Sequence, residues 1–119
     1  MVIDRNDWPH LAYYEATNGD LIYARWNGYH WRVRIVDASG DVGQYTALVL
    51  DRFDYPHISY YDAANGDLHY VCWNGNGWYI ETMAAEGDVG RYASLALDKA
   101  GRPHVAYYDA ANGVLTYAI

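Results

Sequence analysis

The feature that most constrains this chain is that it repeats itself every 47 residues. Residues 9–55 align with residues 56–102 without a gap, and 23 of the 47 positions are identical. A third copy starts at Pro103, and residues 1–8 match residues 48–55, the end of a unit. The shared frame is Pro-His-x-x-Tyr-Tyr-(Glu/Asp)-x-x-Asn-Gly, then Leu-x-Tyr, Trp-Asn-Gly-x-x-Trp and Gly-Asp-Val-Gly-x-Tyr. Self-similarity at this period means an architecture of stacked units, in which each unit buries its apolar faces against its neighbours.

Each unit predicts four short strands. In the middle copy they cover residues 45–51, 57–62, 68–74 and 78–83, where apolar and aromatic residues alternate with period two. The separators are turn chemistry. Asn65-Gly66 and Asn74-Gly75 offer the positive φ that tight hairpins require. Gly101 does the same between the first two strands of the third copy. Asp7 and Asp54 stand at that position in the other copies, and Asp tolerates the left-handed region better than most residues. No stretch has a useful 3.6-residue period. The class is all-β, and a repeated four-stranded antiparallel unit of 47 residues predicts β-propeller blades. A β-sandwich is the alternative, and repetition without insertions fits it poorly.

The single propeller segment 1–119 divides into blade 1 (1–44), blade 2 (45–91) and a partial blade 3 (92–119), with four, four and three strands. The expected core is Leu48, Leu50, Ile58, Tyr60, Leu68 and Tyr70 with their equivalents 47 residues away. Two blades and three-quarters of a third cannot close a ring, so other copies of the chain are the expected partner. A homodimer closing six blades fits the strand count, and five blades is the alternative. The strand edge at 115–119 is expected to be the least protected.

Composition narrows the function classes. With 8 basic against 15 acidic residues and a net charge of −7, the chain repels polyanions, which argues against nucleic acid as a partner. No apolar run reaches the ~18–20 residues of a membrane span. The first residues have neither a basic nor an apolar segment, so no signal peptide is expected. Cys72 is the only cysteine and can form neither an internal disulfide nor a thiolate metal site.

Residues 58–66 and 72–79, Ile-Ser-Tyr-Tyr-Asp-Ala-Ala-Asn-Gly and Cys-Trp-Asn-Gly-Asn-Gly-Trp-Tyr, resemble the blade of the bacterial and fungal fucose-binding propeller lectins. The period is similar, more distantly, to that of the tachylectin-type propellers. The resemblance implies a six-bladed ring assembled from short chains and sugar sites between blades. In that family an Arg and a Glu clamp the sugar hydroxyls and a Trp stacks on its apolar face. Here the Arg position falls on Ala12, Ser59 and Ala106, and the Glu position on Tyr23, Tyr70 and Tyr117. The Trp platform is kept as Trp31 and Trp78. The architecture carries over without the clamp that selects fucose.

The candidate ligand-binding residues are therefore Trp31 and Trp78, with Trp26 and Trp73 across the Asn-Gly turns and Tyr61 and Tyr108 in the neighbouring strand. Exposed Trp and Tyr present flat apolar area with a polar tip, which suits sugar rings. His10, His57 and His104 recur at equivalent sites, and local hydrogen bonding is expected of them rather than a shared metal. The recurring acids Asp4, Asp51, Asp98, Glu15, Asp62 and Asp109 read as turn and cap residues. Near-identical repeats offer no asymmetric pair of carboxylates and no nucleophile motif, so the chain is not expected to be an enzyme, and it implies no cofactor. The function that follows is a multivalent carbohydrate-binding, lectin-like module. The alternative is a non-catalytic scaffold or protein-interaction propeller.

Overall fold

A computed structural model describes residues 1–119. Eleven strands and no helix form three antiparallel sheets. The first sheet is β1 (Val2–Ile3), β2 (Pro9–Glu15), β3 (Asp20–Trp26) and β4 (Trp31–Asp37). The second is β5 (Val42–Leu50), β6 (Pro56–Asp62), β7 (Asp67–Trp73) and β8 (Trp78–Ala84). The third is β9 (Val89–Leu97), β10 (Pro103–Asp109) and β11 (Val114–Ala118). Strand order within each sheet follows chain order, as in a propeller blade.

The turns form where the sequence has residues that can make them. Asp7, Asp54 and Gly101 all take a left-handed conformation, with φ of 64°, 62° and 80°. Asp4, Asp51 and Asp98 accept two backbone N–H groups each and so close these three turns. Glu15 and Asp62 cap the next turn in the same way, and Asp109 does so through the Asn112 N–H and side-chain amide.

Two expectations need correction. β5 begins at Val42 rather than at Tyr45, because a bulge carries the ladder past the irregularity. Register shifts bracket Gln44, and Tyr45 itself sits at φ 55°. Gly43 within this segment lies so close to blade 1 that a Cβ there would meet the Leu21 Cα at 2.9 Å. Leu50 and Leu97 are only half-buried and line an open groove, so the first strand contributes Val42 and Leu48, or Val89 and Leu95, to the core rather than its last leucine.

The core forms two wedges between sheets. Ala12, Leu21, Tyr23 and Val36 of the first sheet meet Val42, Leu48, Ile58, Tyr60, Val71 and Trp78 of the second. Leu68, Met83 and Ala84 of the second meet Val89, Leu95, Val105 and Tyr107 of the third. Burial is complete for Leu21, Ile58, Tyr60, Leu68, Val71 and Val105. Tyr60 crosses the first wedge, and its hydroxyl donates to buried Asp37 Oδ2 at 2.7 Å. Backbone bonds repeat between neighbouring blades: Val42 N–H to Gly19 C=O and Ala63 N–H to Asp41 C=O, then Val89 to Gly66 and Ala110 to Asp88.

Candidate functional site between the first two blades

The recurring histidines are engaged within their own blades. His10 Nε2 lies 2.9 Å from Asp4 Oδ2, and its Nδ1 lies 2.5 Å from the Tyr23 hydroxyl. With the carboxylate accepting from Nε2, the lone pair on Nδ1 accepts the phenol proton. His57 repeats the arrangement with Asp51 and Tyr70, and His104 with Asp98 and Tyr117. Each triad ties the inner turn to the third strand. The tyrosines are the residues at the lectin Glu position, and their pairing with His was not visible in the spacing. Burial pushes the Tyr23 hydroxyl up to about 12 and the Tyr70 hydroxyl higher still. Burial acts to raise Asp4 and Asp51, but the hydrogen bonds from His and from the turn N–H groups outweigh it and hold both below the usual carboxylate range.

A cleft of about 260 Å³ opens between the first two blades at the end that carries these turns. Its first wall is a two-by-two tile on β3 and β4. Tyr23 lies directly opposite Arg34, and Arg25 directly opposite Arg32. Its second wall comes from blade 2: Asp54, Tyr55 and Pro56 beside Trp73 and Trp78. Trp73 and Trp78 face each other across the Asn74-Gly75 turn, edge to face at 5.3 Å. Tyr23 meets Trp78 edge to face at 5.4 Å, which closes the floor of the cleft. Asp54 is held by Arg5, whose Nε lies 2.8 Å from Oδ2.

Trp73 and Trp78 are thus brought together, as expected. Trp26 and Trp31 form the same edge-to-face pair at 5.7 Å on the free face of blade 1, and Trp31 is exposed. Tyr61 and Tyr108 lie at the opposite end of their sheets, away from the Trp turns. Tyr61 is buried and donates to Asp88 Oδ1 at 2.5 Å under the Arg91 guanidinium, and Tyr108 stands 6.5 Å from Tyr92. Arg25, Arg32 and Arg34 were missed by the sequence reading. Their signal was a break in the repeat, since the next unit has Cys72, Tyr79 and Glu81 in their places.

Two other groupings compete for attention. A larger groove of about 540 Å³ runs between the inner turns of blades 2 and 3, but its carboxylates, Asp51 and Asp98, are already bound to histidines and turn amides. Asp62, Asp67 and His69 place ligand atoms within 4.8 Å of one another. Asp62 is committed there to its own turn through Ala64 and Asn65, and His69 stacks on Tyr60.

No protein-family model matches the chain, and no curated protein matches it in sequence. Among solved structures it is similar to a fucose lectin from Kordia zhangzhouensis in complex with methyl-fucoside. The TM-score is 0.57 at 23% identity, over 98% of this chain and 87% of the lectin chain. What the two share at that identity is the fold, and the chain is built from the antiparallel blades of a β-propeller.

Proposed function

We propose that the chain is a non-catalytic carbohydrate-binding module whose principal site is the cleft between its first two blades. The observation that carries this reading is the Trp73–Trp78 pair, which stands at the mouth of an open inter-blade cleft with polar groups on both walls. An apolar aromatic platform ringed by a few hydrogen-bonding groups is what binds a sugar ring. The likeness in fold to a lectin supports the same reading. Affinity per site is expected to be weak, about millimolar to micromolar, because the cleft is shallow and the contacts few. A glycan array with the whole chain tests it. Reproducible binding that Trp78→Ala abolishes is the expected result. An array with no hits would leave the scaffold reading.

The second part of the proposal is that another copy of the chain covers its two open faces. On blade 1, Tyr13 is 41% exposed, while its counterparts Tyr60 and Tyr107 are 0% and 6%. On blade 3, Leu115 is 79% exposed where Leu21 and Leu68 are fully buried. The two faces are complementary by the repeat itself. Ala106, Leu115 and Tyr117 reproduce the surface Ala12, Leu21 and Tyr23 that receives blade 2, and Leu11, Tyr13 and Trp31 reproduce the surface that blade 2 presents. The Ala16 N–H and Gly113 C=O lack the inter-blade bonds made by their counterparts. Head-to-tail contact at both ends makes a closed ring of two chains. Sedimentation velocity is expected to give a dimer, and a folded monomer would refute this part alone.

A further inference from the structure

We propose that the inter-blade cleft selects a saccharide that carries an anionic group, a carboxylate or a sulfate, resting on the carbohydrate reading above. The chain has eight cationic residues. Three are engaged in ion pairs: Arg5 with Asp54, Arg91 with Asp88 and Arg102 with Asp98. Arg52 stacks on Phe53. Arg25, Arg32 and Arg34 are different, because they share one wall of one cleft and none has a carboxylate within 4.0 Å.

Their arrangement works against the fold. Arg25 and Arg32 are directly opposed in the β3–β4 ladder, where like charges repel. A chain with 15 acidic residues places none of them there to relieve it. The acid on the facing wall, Asp54, is already neutralised by Arg5. The Tyr23 hydroxyl is likewise engaged with His10 and is not free for a ligand. What remains open to solvent is the guanidinium groups of Arg25, Arg32 and Arg34 in the same cleft as Trp78, with one Arg34 N–H spent on the Val33 carbonyl. Guanidinium pairs with carboxylate or sulfate oxygens through two parallel N–H bonds, and the indole takes the apolar face of the ring that carries them.

Size and charge limit the ligand further. At about 260 Å³ the cleft lies below the ~300–1,000 Å³ of drug-sized pockets, so it holds one ring and its substituent rather than a polymer. The net charge of −7 opposes a polyanion while leaving a local cationic wall for a single anionic group. The corresponding wall of blade 2, with Tyr79 and Glu81 where blade 1 has Arg32 and Arg34, has lost this preference. One chain therefore has one anion-selective cleft and not a repeating series.

Matched pairs test the proposal by calorimetric titration of the intact chain: methyl glucoside against methyl glucuronide, galactose against galactose 6-sulfate, and inorganic sulfate alone. The acidic member of at least one pair is expected to bind at least about tenfold tighter, as a charge-assisted fork provides. That advantage should shrink as NaCl rises from about 50 to about 500 mM. Replacing two of the arginines with the residues that the next repeat carries at those positions, Arg32→Tyr and Arg34→Glu, should remove the advantage, so that the acidic and neutral members of each pair bind alike. The salt series on the unaltered chain gives the same answer if that variant fails to fold. Equal affinity within both pairs, independent of salt, would overturn the proposal and leave the carbohydrate reading standing. Inorganic sulfate binding as tightly as the sulfated sugar would overturn it as well, by making the wall a bare anion site. No saccharide bound at about 10 mM, above the weak end of ordinary sugar affinities, would remove the carbohydrate reading and this one with it.

Discussion

The first tyrosine of the Tyr-Tyr pair occupies the same repeat position in all three blades but has a different neighbour in each, so one substitution made three times measures how the blades stack. Tyr60 is fully buried, and its hydroxyl donates to Asp37 Oδ2 across the first wedge at 2.7 Å. Tyr107 is nearly as buried, but Ala84 stands where the aspartate would be and its hydroxyl has no protein partner. Tyr13 is exposed and equally unpartnered. Tyr60→Phe removes a hydrogen bond to a buried carboxylate that keeps its other contact, the Ser39 N–H at 3.0 Å. A bond of that kind contributes about 1.5–3 kcal/mol. Tyr107→Phe and Tyr13→Phe should stay within about 0.5 kcal/mol of the parent. In urea, at a slope of roughly 1–3 kcal/mol/M, the first variant should lose about 1 M of midpoint and the other two almost nothing. Tryptophan fluorescence at one fixed protein concentration reads all three. Equal losses at the three positions, or a neutral Tyr60→Phe, would refute the inter-blade contact.

Asp7 has a left-handed backbone that Gly101 adopts without strain at the equivalent turn, so Asp7→Gly should raise thermal stability by about 0.5–1 kcal/mol and Gly101→Val should lower it. Gly90→Ala should cost about 2–4 kcal/mol by the same melts, because its Cβ would lie 2.8 Å from the Leu68 Cα at φ 106°. The carboxyls of Asp4, Asp51 and Asp98 all sit below their ordinary value in the folded chain. In Asp4 and Asp51 burial opposes this and the hydrogen bonds from His and from turn amides prevail; in Asp98 the His104 bond leads. A depressed folded pKa contributes stability that is complete above the unfolded value of ~4 and is lost as pH falls below it. The urea midpoint should therefore be flat on this account down to about pH 4 and then decline, more gently in Asp51→Asn.

The repeat and its turn residues made the fold legible. Asp7 and Asp54 could be read as left-handed because Gly101 occupies the same place in the next copy. Strand alternation placed Ile58, Tyr60, Leu68 and Tyr70 in the core, as found. Leu50 and Leu97 misled because alternation gives the face of a strand and not how far along it the next blade reaches. The bulges at Tyr45 and Tyr92 were hidden for a related reason, since a bulge inserts a residue without breaking the period of the repeat. The Trp half of the candidate site was legible because it repeats. The Arg half was not, because attention to what recurs discards what differs, and Arg25, Arg32 and Arg34 occur in one unit alone. The Asp–His–Tyr triads needed the β2–β3 register, which brings His10 beside the strand that carries Tyr23.

The measurement that bears most directly on the carbohydrate reading uses the five indole N–H groups as built-in reporters. Trp73 and Trp78 line the cleft, Trp26 and Trp31 lie on the free face of blade 1, and Trp8 packs over Gly28. With indole nitrogens labelled, the saccharide that scores highest on the array can be titrated in while the five signals are followed by NMR. Saturable shifts of Trp73 and Trp78, with Trp8 unmoved, are the expected result. Saturable binding that leaves both Trp73 and Trp78 in place would contradict the assignment of the cleft as the site.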